Sequence, residues 1–228
     1  MIKITHNAGF FSCCSVKLTK IVEFVNLNKR LPDNVDSSKQ FIWYKNDNTK
    51  DITFDYFEHY ENVSDVNIIH PVNYHWDHQF INYTNLDYNS ITPLIKKYFS
   101  PSAEINKIIN NIEKKYNLLY ENICVLFYRG NDKNRETIKC SYDEYLNYAN
   151  QLLKKKQKIK FLVQSDETEF IEFIKKKFPN NSFYFNDEIR HMKKCNSTVD
   201  KKMRSKNYEF SKKYLAITVI MSKCKYII

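Results

Sequence analysis

Hydrophobic positions in the second half of the chain switch between two periods. Ile123–Tyr128, Ile159–Gln164 and Ser182–Phe185 are short runs of mostly aliphatic and aromatic residues, the pattern of buried strands. Between them the spacing becomes helical. Ser141-Tyr-Asp-Glu144 is a capping box that opens a helix to about Lys156, with Tyr145, Tyr148, Ala149, Leu152 and Leu153 facing inward. Asp166-Glu-Thr-Glu169 reads as the cap of a further helix, carrying Phe170, Ile171, Phe173, Ile174 and Phe178 and ended by Pro179. After a polar connection from Asn186 to Asn207, Glu209–Lys223 has a broad apolar helical face, and Cys224–Ile228 begins a fourth strand. Strands alternating with helices predict a parallel sheet with right-handed crossovers.

The first half is patterned less clearly. Ile2–Thr5 reads as a strand, His6–Ser15 as a loop with Gly9, and Val16–Val25 as a helix. Such a loop brings backbone N–H groups and a helix N-terminus near an anion, or it is a tight left-handed turn at Gly9. Leu31–Ser38 is turn-rich, Phe41–Tyr44 reads as a strand, and Asp51–His59 as irregular or strand. Asn62–Ser100 has only short apolar runs and predicts loops and short helices. From Ser100-Pro-Ser102 a helix follows, with Ile105, Ile108, Ile109, Ile112 and Tyr116 in one stripe. It connects two predicted domains, 1–117 and 118–228.

Composition narrows the function classes. The 228 residues are 43% hydrophobic with 17 Tyr and 16 Phe, ample for a core. The net charge of +10 reads first as solvated lysine faces and second as attraction to a polyanion or a phosphorylated ligand. No RNP-type motif, zinc finger or Arg-rich arm supports nucleic acid as a partner. The six cysteines form no C-x-x-C pair, and His75-x-x-His78 is read as solvated loop side chains; no metal site is expected. No run reaches the ~18–20 apolar residues of a membrane span, and the start lacks a signal-like run. The expectation is a soluble, cytoplasmic chain with reduced thiols.

The chemistry concentrates after the first strand of the second half. Cys124-Val-Leu-Phe-Tyr-Arg-Gly-Asn-Asp-Lys133 is an apolar strand that breaks into a polar turn, and Gly130 is one of only two glycines. Ligands of open α/β sheets bind at the carboxyl ends of strands. An arginine there, beside free backbone N–H groups, suits a phosphate ester. Arg129 and Asp132 also admit a plainer reading, an ion pair within the loop.

Tyr128-Arg-Gly-Asn-Asp-Lys133 resembles the His-x-Arg-(Arg/Gly)-x-Asp-Lys motif of GDP-fucose-dependent fucosyltransferases of the α-1,6- and O-fucosyltransferase type. Three further stretches fall in that family's order: Gly9-Phe-Phe-Ser12, Val163-Gln-Ser-Asp-Glu167 and Phe183-Tyr-Phe-Asn-Asp187, the last leading to Met221–Ile228. The resemblance implies a GT-B-like α/β fold of two Rossmann-like domains with mostly parallel sheets, the second incomplete because a Ser-rich diphosphate loop would follow Ile228. It implies inverting, metal-independent transfer of fucose from GDP-fucose to a glycan or protein hydroxyl, with no cofactor beyond the donor itself.

Carried over residue by residue, the resemblance sets Arg129 on the β-phosphate, with Asp132 and Lys133 beside it on the donor. Glu136 becomes the candidate base. Asp187 becomes the reader of the guanine edge, with a helix cap as its alternative role, and Gly9 and Ser12 become the N-terminal donor loop. Phe127 stands where the family has histidine, and phenyl cannot hydrogen-bond. That departure motivates a second expectation, a shortened, inactive relative that acts as a binding or interaction protein.

Overall fold

The computed structural model describes residues 1–64, 66–67, 70–80, 86–133 and 138–228. The chain divides into two compact units, Met1–Asn106 and Lys107–Ile228. The architecture is α/β with parallel sheets. Among the described residues no helix is long and apolar enough to cross a membrane.

The first unit is built on one parallel pair, β1 (Ile2–Lys3) with β2 (Val35–Asp36), joined through the long helix α1 (Phe10–Asn28). Helix α1 begins six residues before the predicted Val16. Gly9 caps it at φ −55° and ψ 154°, so no left-handed turn exists there. Phe10 explains the early start: its ring is buried against Phe41, Tyr44 and Tyr56, with centroids 5.4, 5.5 and 4.8 Å away. Its N–H also donates to the Tyr44 hydroxyl at 2.8 Å. Phe41–Tyr44 is therefore not a strand. Phe41 sits in the left-handed region at φ 59° ahead of a 3-10 turn, Ile42–Tyr44, which buries both Phe41 and Tyr44. Burial of two large rings, ~2 kcal/mol or more each, outweighs the local cost of a non-glycine residue in that region.

A short helix α2 (Thr53–Tyr56) follows, and then α3 (Tyr88–Phe99), a longer helix than the sequence predicted. Asp87 caps α3 by accepting from the N–H groups of Asn89 and Ser90. Ile91, Leu94 and Tyr98 bury one stripe against α1, in a cluster with Ile4, Leu18, Ile21, Val22 and Val25. That stripe carries the helix past Pro93, which the polar surroundings had obscured. The unit also buries Lys17 at 1% exposure, its ammonium donating to Thr53 Oγ1 at 3.1 Å. Burial pushes its pKa down to about 8, against the pull of Asp51 and Cys14.

The boundary between units falls inside α4 (Ala103–Tyr116). The second unit then runs β3 (Ile123–Tyr128), α5 (Tyr142–Lys155), β4 (Lys160–Ser165), α6 (Thr168–Lys177), β5 (Ser182–Phe183), a short α7 (Val199–Lys202), α8 (Asn207–Lys223) and β6 (Tyr226–Ile227). All neighbours are parallel in the order β5-β4-β3-β6, which is compatible with a Rossmann-like fold. The chain steps outward from β3 to β5, then returns to the other side of β3. The carboxyl end of β3 is thus the switch point of the sheet.

Residues of β3 alternate between the two sheet faces. Tyr128 stacks on Phe170 of α6 at 4.6 Å and meets the edges of Tyr142 and Tyr145 of α5. Phe127, on the opposite face, lines a cleft with Phe210, Tyr214 and Ile217 of α8. The Ser141 capping box of α5 is present with both of its reciprocal bonds.

Candidate functional site

The turn after β3 is held by a network that starts from Asp166, at the end of β4. Its carboxylate accepts from the Gly130 N–H at 2.9 Å and from Arg129 Nε at 3.1 Å. Its carbonyl accepts from Asn131 Nδ2 at 2.6 Å and from the Met192 N–H at 3.0 Å. Asp166 is therefore not the cap of the following helix, as its sequence position suggested. Glu167 holds the N-cap position of α6, without a side-chain cap bond, and the Thr168 N–H goes to the Met192 carbonyl.

Arg129 also donates Nη2 to Asp132 at 3.2 Å, so the ion pair within the loop is formed as well. About a third of its side chain, 34%, stays exposed. Burial opposes its charge, but Tyr214, Asp166 and Asp132 outweigh that and raise its pKa. The guanidinium is fixed in position and stays charged. Burial raises the pKa of the Tyr214 phenol, against the pull of Arg129.

Gly130 has no positive φ, so conformational freedom is not its use. A Cβ there would run into the Glu167 carboxylate and come within 2.6 Å of the Tyr128 ring. Glu167 is fully buried, accepts from the Tyr142 hydroxyl at 2.5 Å and lies 3.7 Å from Lys139 Nζ, which donates to the Gly130 carbonyl at 2.8 Å. Burial first, and then the bond to Glu167, raise the Tyr142 pKa, so this phenol stays protonated. Asn131 is equally buried and accepts from the Cys195 N–H at 2.7 Å. Sequence reasoning missed both Asn131 and Glu167 as supports of the turn. Their side chains act on backbone and rings that no local pattern identifies.

A cleft with a cavity of about 60 Å³ opens over the carboxyl ends of β3 and β4. Phe127, Arg129, Gln164 and Asp166 form its floor, Glu188 and Arg190 one side, and Phe210 and Tyr214 of α8 another. Arg190 is anchored by charge-assisted bonds to Asp200 and Asn207. Sequence reasoning did not single out Arg190, because it lies in a polar connection without periodicity.

The structure gathers Arg129, Asp132 and Lys133 in one turn, Lys133 Nζ lying 3.8 Å from Asp132. Asp187 does not line the cleft: its carboxylate is 76% exposed and pairs with Lys115 at 2.8 Å, which lowers its pKa. Its neighbour Glu188 lines the cleft instead. Glu136 lies outside the described residues. Gly9 and Ser12 belong to the first unit. There a Cβ on Gly9 would meet nothing within 4 Å, and Ser12 Oγ is bonded to His6 Nε2 at 3.0 Å. His75 pairs with Asp77, and the His75 N–H donates to His78 Nδ1. Among the described residues no group of three or more His, Cys, Asp or Glu side chains could hold a metal ion.

Lys154, Lys155, Lys156, Lys158, Lys175, Lys176 and Lys177 are exposed at or just beyond the ends of α5 and α6. Helix C-termini attract such cations, which accounts for much of the positive charge without a ligand. Compared with models of known protein families the chain matches none, and no curated protein matches it either.

Proposed function

We propose that residues 107–228 bind a nucleoside diphosphate sugar and that the chain is a fucosyltransferase-like glycosyltransferase of GT-B type, with GDP-fucose as donor. The observation that carries this reading is Arg129: a charged, immobilised arginine at the carboxyl end of β3, at the switch point of a parallel sheet and in the floor of a cleft. The ordered likeness of four sequence stretches to the fucosyltransferases supplies the identity of the donor.

In the proposed reaction an acceptor hydroxyl attacks the anomeric carbon from the face opposite the diphosphate. The new C–O bond forms as the bond to the β-phosphate oxygen breaks, and GDP leaves with that electron pair. Arg129 offsets the charge that develops on the leaving oxygen. The acceptor proton passes to a carboxylate base, the role that the family likeness gives to Glu136.

Calorimetric titration of the full chain with GDP and with GDP-fucose tests the reading. Binding of both is expected, weakened at least tenfold in Arg129→Ala. Failure of the chain to bind either would overturn it.

One observation favours a second reading, in which the site binds the donor without transferring it. Phe127 lines the cleft where the fucosyltransferases have histidine. Release of GDP from GDP-fucose distinguishes the two: an enzyme of this kind leaks hydrolysis, whereas a binding module holds the donor intact.

A further inference from the structure

Gln164 sits on β4 directly across from Phe127 on β3, and residues paired in a parallel ladder share a face. Both therefore line the cleft floor beneath α8. Gln164 is 5% exposed, and its Oε1 has no hydrogen-bond partner among the described residues. Turning the amide over would put NH2 in the same place, with the same need of a partner. Other polar groups of the floor and walls are engaged: Asp166 by Gly130 and Arg129, Arg190 by Asp200 and Asn207, Glu188 by Lys115 and Tyr116. A buried amide oxygen without a partner is costly and uncommon in native proteins, and at a cleft floor a ligand supplies what is missing.

The charges on the lining narrow the kind of ligand group. Apart from Arg129, the one cation of the lining is Arg190, set against Asp166, Glu188 and Asp200, so nothing beyond Arg129 draws in a second anion. The lining combines flat rings, Phe127, Phe210 and Tyr214, with planar polar groups, Gln164, Glu188 and Arg190. Such a wall matches a sugar ring, whose C–H face covers aromatic carbon while its hydroxyls donate to side-chain oxygens.

We propose that Gln164 Oε1 accepts a hydrogen bond from a hydroxyl of the donor's sugar, and so sets which sugar the cleft takes. This rests on the reading of Arg129 as the diphosphate contact. Gln164 is on that account a specificity-determining residue, separate from the arginine that holds the phosphates.

Calorimetric titration of the full chain and of Gln164→Leu with GDP and with GDP-fucose tests it, together with thermal unfolding of both proteins without ligand. In the variant the ratio of GDP-fucose affinity to GDP affinity is expected to fall about tenfold, the worth of one well-placed hydrogen bond. Its unliganded Tm is expected to equal or exceed that of the wild type, because the orphaned amide is gone. Gln164→Met, of similar length, serves where the leucine variant does not fold. An unchanged affinity ratio in a variant that binds GDP overturns the proposal and leaves the reading of Arg129 standing. A marked fall in Tm overturns it in favour of a structural role. A wild type that binds neither compound overturns the reading of the site itself, and this inference falls with it.

Discussion

Gly130 and Glu167 are set so close that a single methyl group on the glycine would overlap the glutamate's carboxylate. The turn that presents Arg129 is thus pressed onto a buried acid, and that acid is held by Tyr142 from the first turn of α5. Gly130→Ala is expected to displace Glu167 and to cost about 1–3 kcal/mol of stability, as overpacking of a filled interior does. Urea unfolding of the two proteins measures it. A variant as stable as the wild type would mean that Glu167 moves aside freely.

Asp166 satisfies the Gly130 N–H and one edge of Arg129 at once. Asp166→Ala leaves a buried N–H without a partner and removes one of the two carboxylates that hold the arginine. A loss of about 2 kcal/mol is expected, modest for an ion pair because Arg129 is partly exposed. GDP affinity should fall with it, since the guanidinium is then held by Asp132 alone among the carboxylates. Denaturant titration and calorimetry on the same preparation report both effects.

Lys17 is a buried ammonium whose pKa is lowered from 10.5 to about 8. The folded state therefore gives up this proton more readily than the unfolded state. The penalty for burying the charge is present in full below about pH 8 and is relieved as the pH rises toward 10.5. Lys17→Met is expected to be more stable than the wild type at neutral pH, by up to about 3 kcal/mol. The bond lost to Thr53 reduces that gain. The difference between the two proteins should shrink as the pH rises from 8 to 10, and unfolding midpoints across that range check it.

Ser141 anchors the capping box of α5, accepting from the Glu144 N–H at 3.2 Å while Glu144 accepts from the Ser141 N–H at 2.6 Å. Ser141→Ala is expected to cost about 1 kcal/mol. Donor binding should be untouched, because neither residue reaches the cleft. Thermal unfolding and GDP titration separate the two quantities.

Much of the second unit was legible in the sequence alone. The strands around Val125 and Leu162, the helices that follow them and the Ser141 cap all depend on spacing and on neighbours three or four residues away. The parallel order follows from their alternation. The first unit was harder to read because its short segments take their conformation from distant rings. Phe41–Tyr44 has the composition of a strand, yet burial against Phe10, more than thirty positions earlier, folds it into a turn.

At the site, local pattern shows only that an arginine and a glycine follow a buried strand. What those residues do was decided by partners far along the chain. Asp166 reaches back across 36 residues to Gly130 instead of capping its own helix. Asn131 meets a backbone N–H 64 residues ahead. Asp187 and Glu188 are adjacent acids that both pair with Lys115, yet Asp187 stays exposed whereas Glu188 is largely buried, bonded to Tyr116 and on the cleft wall. Gln164, one of many polar residues in the sequence, stands out only once β4 lies beside β3 and its amide is buried beneath α8. Hydrogen bonding and close approach are set by distance in space, and only the tertiary structure brings those distances into being.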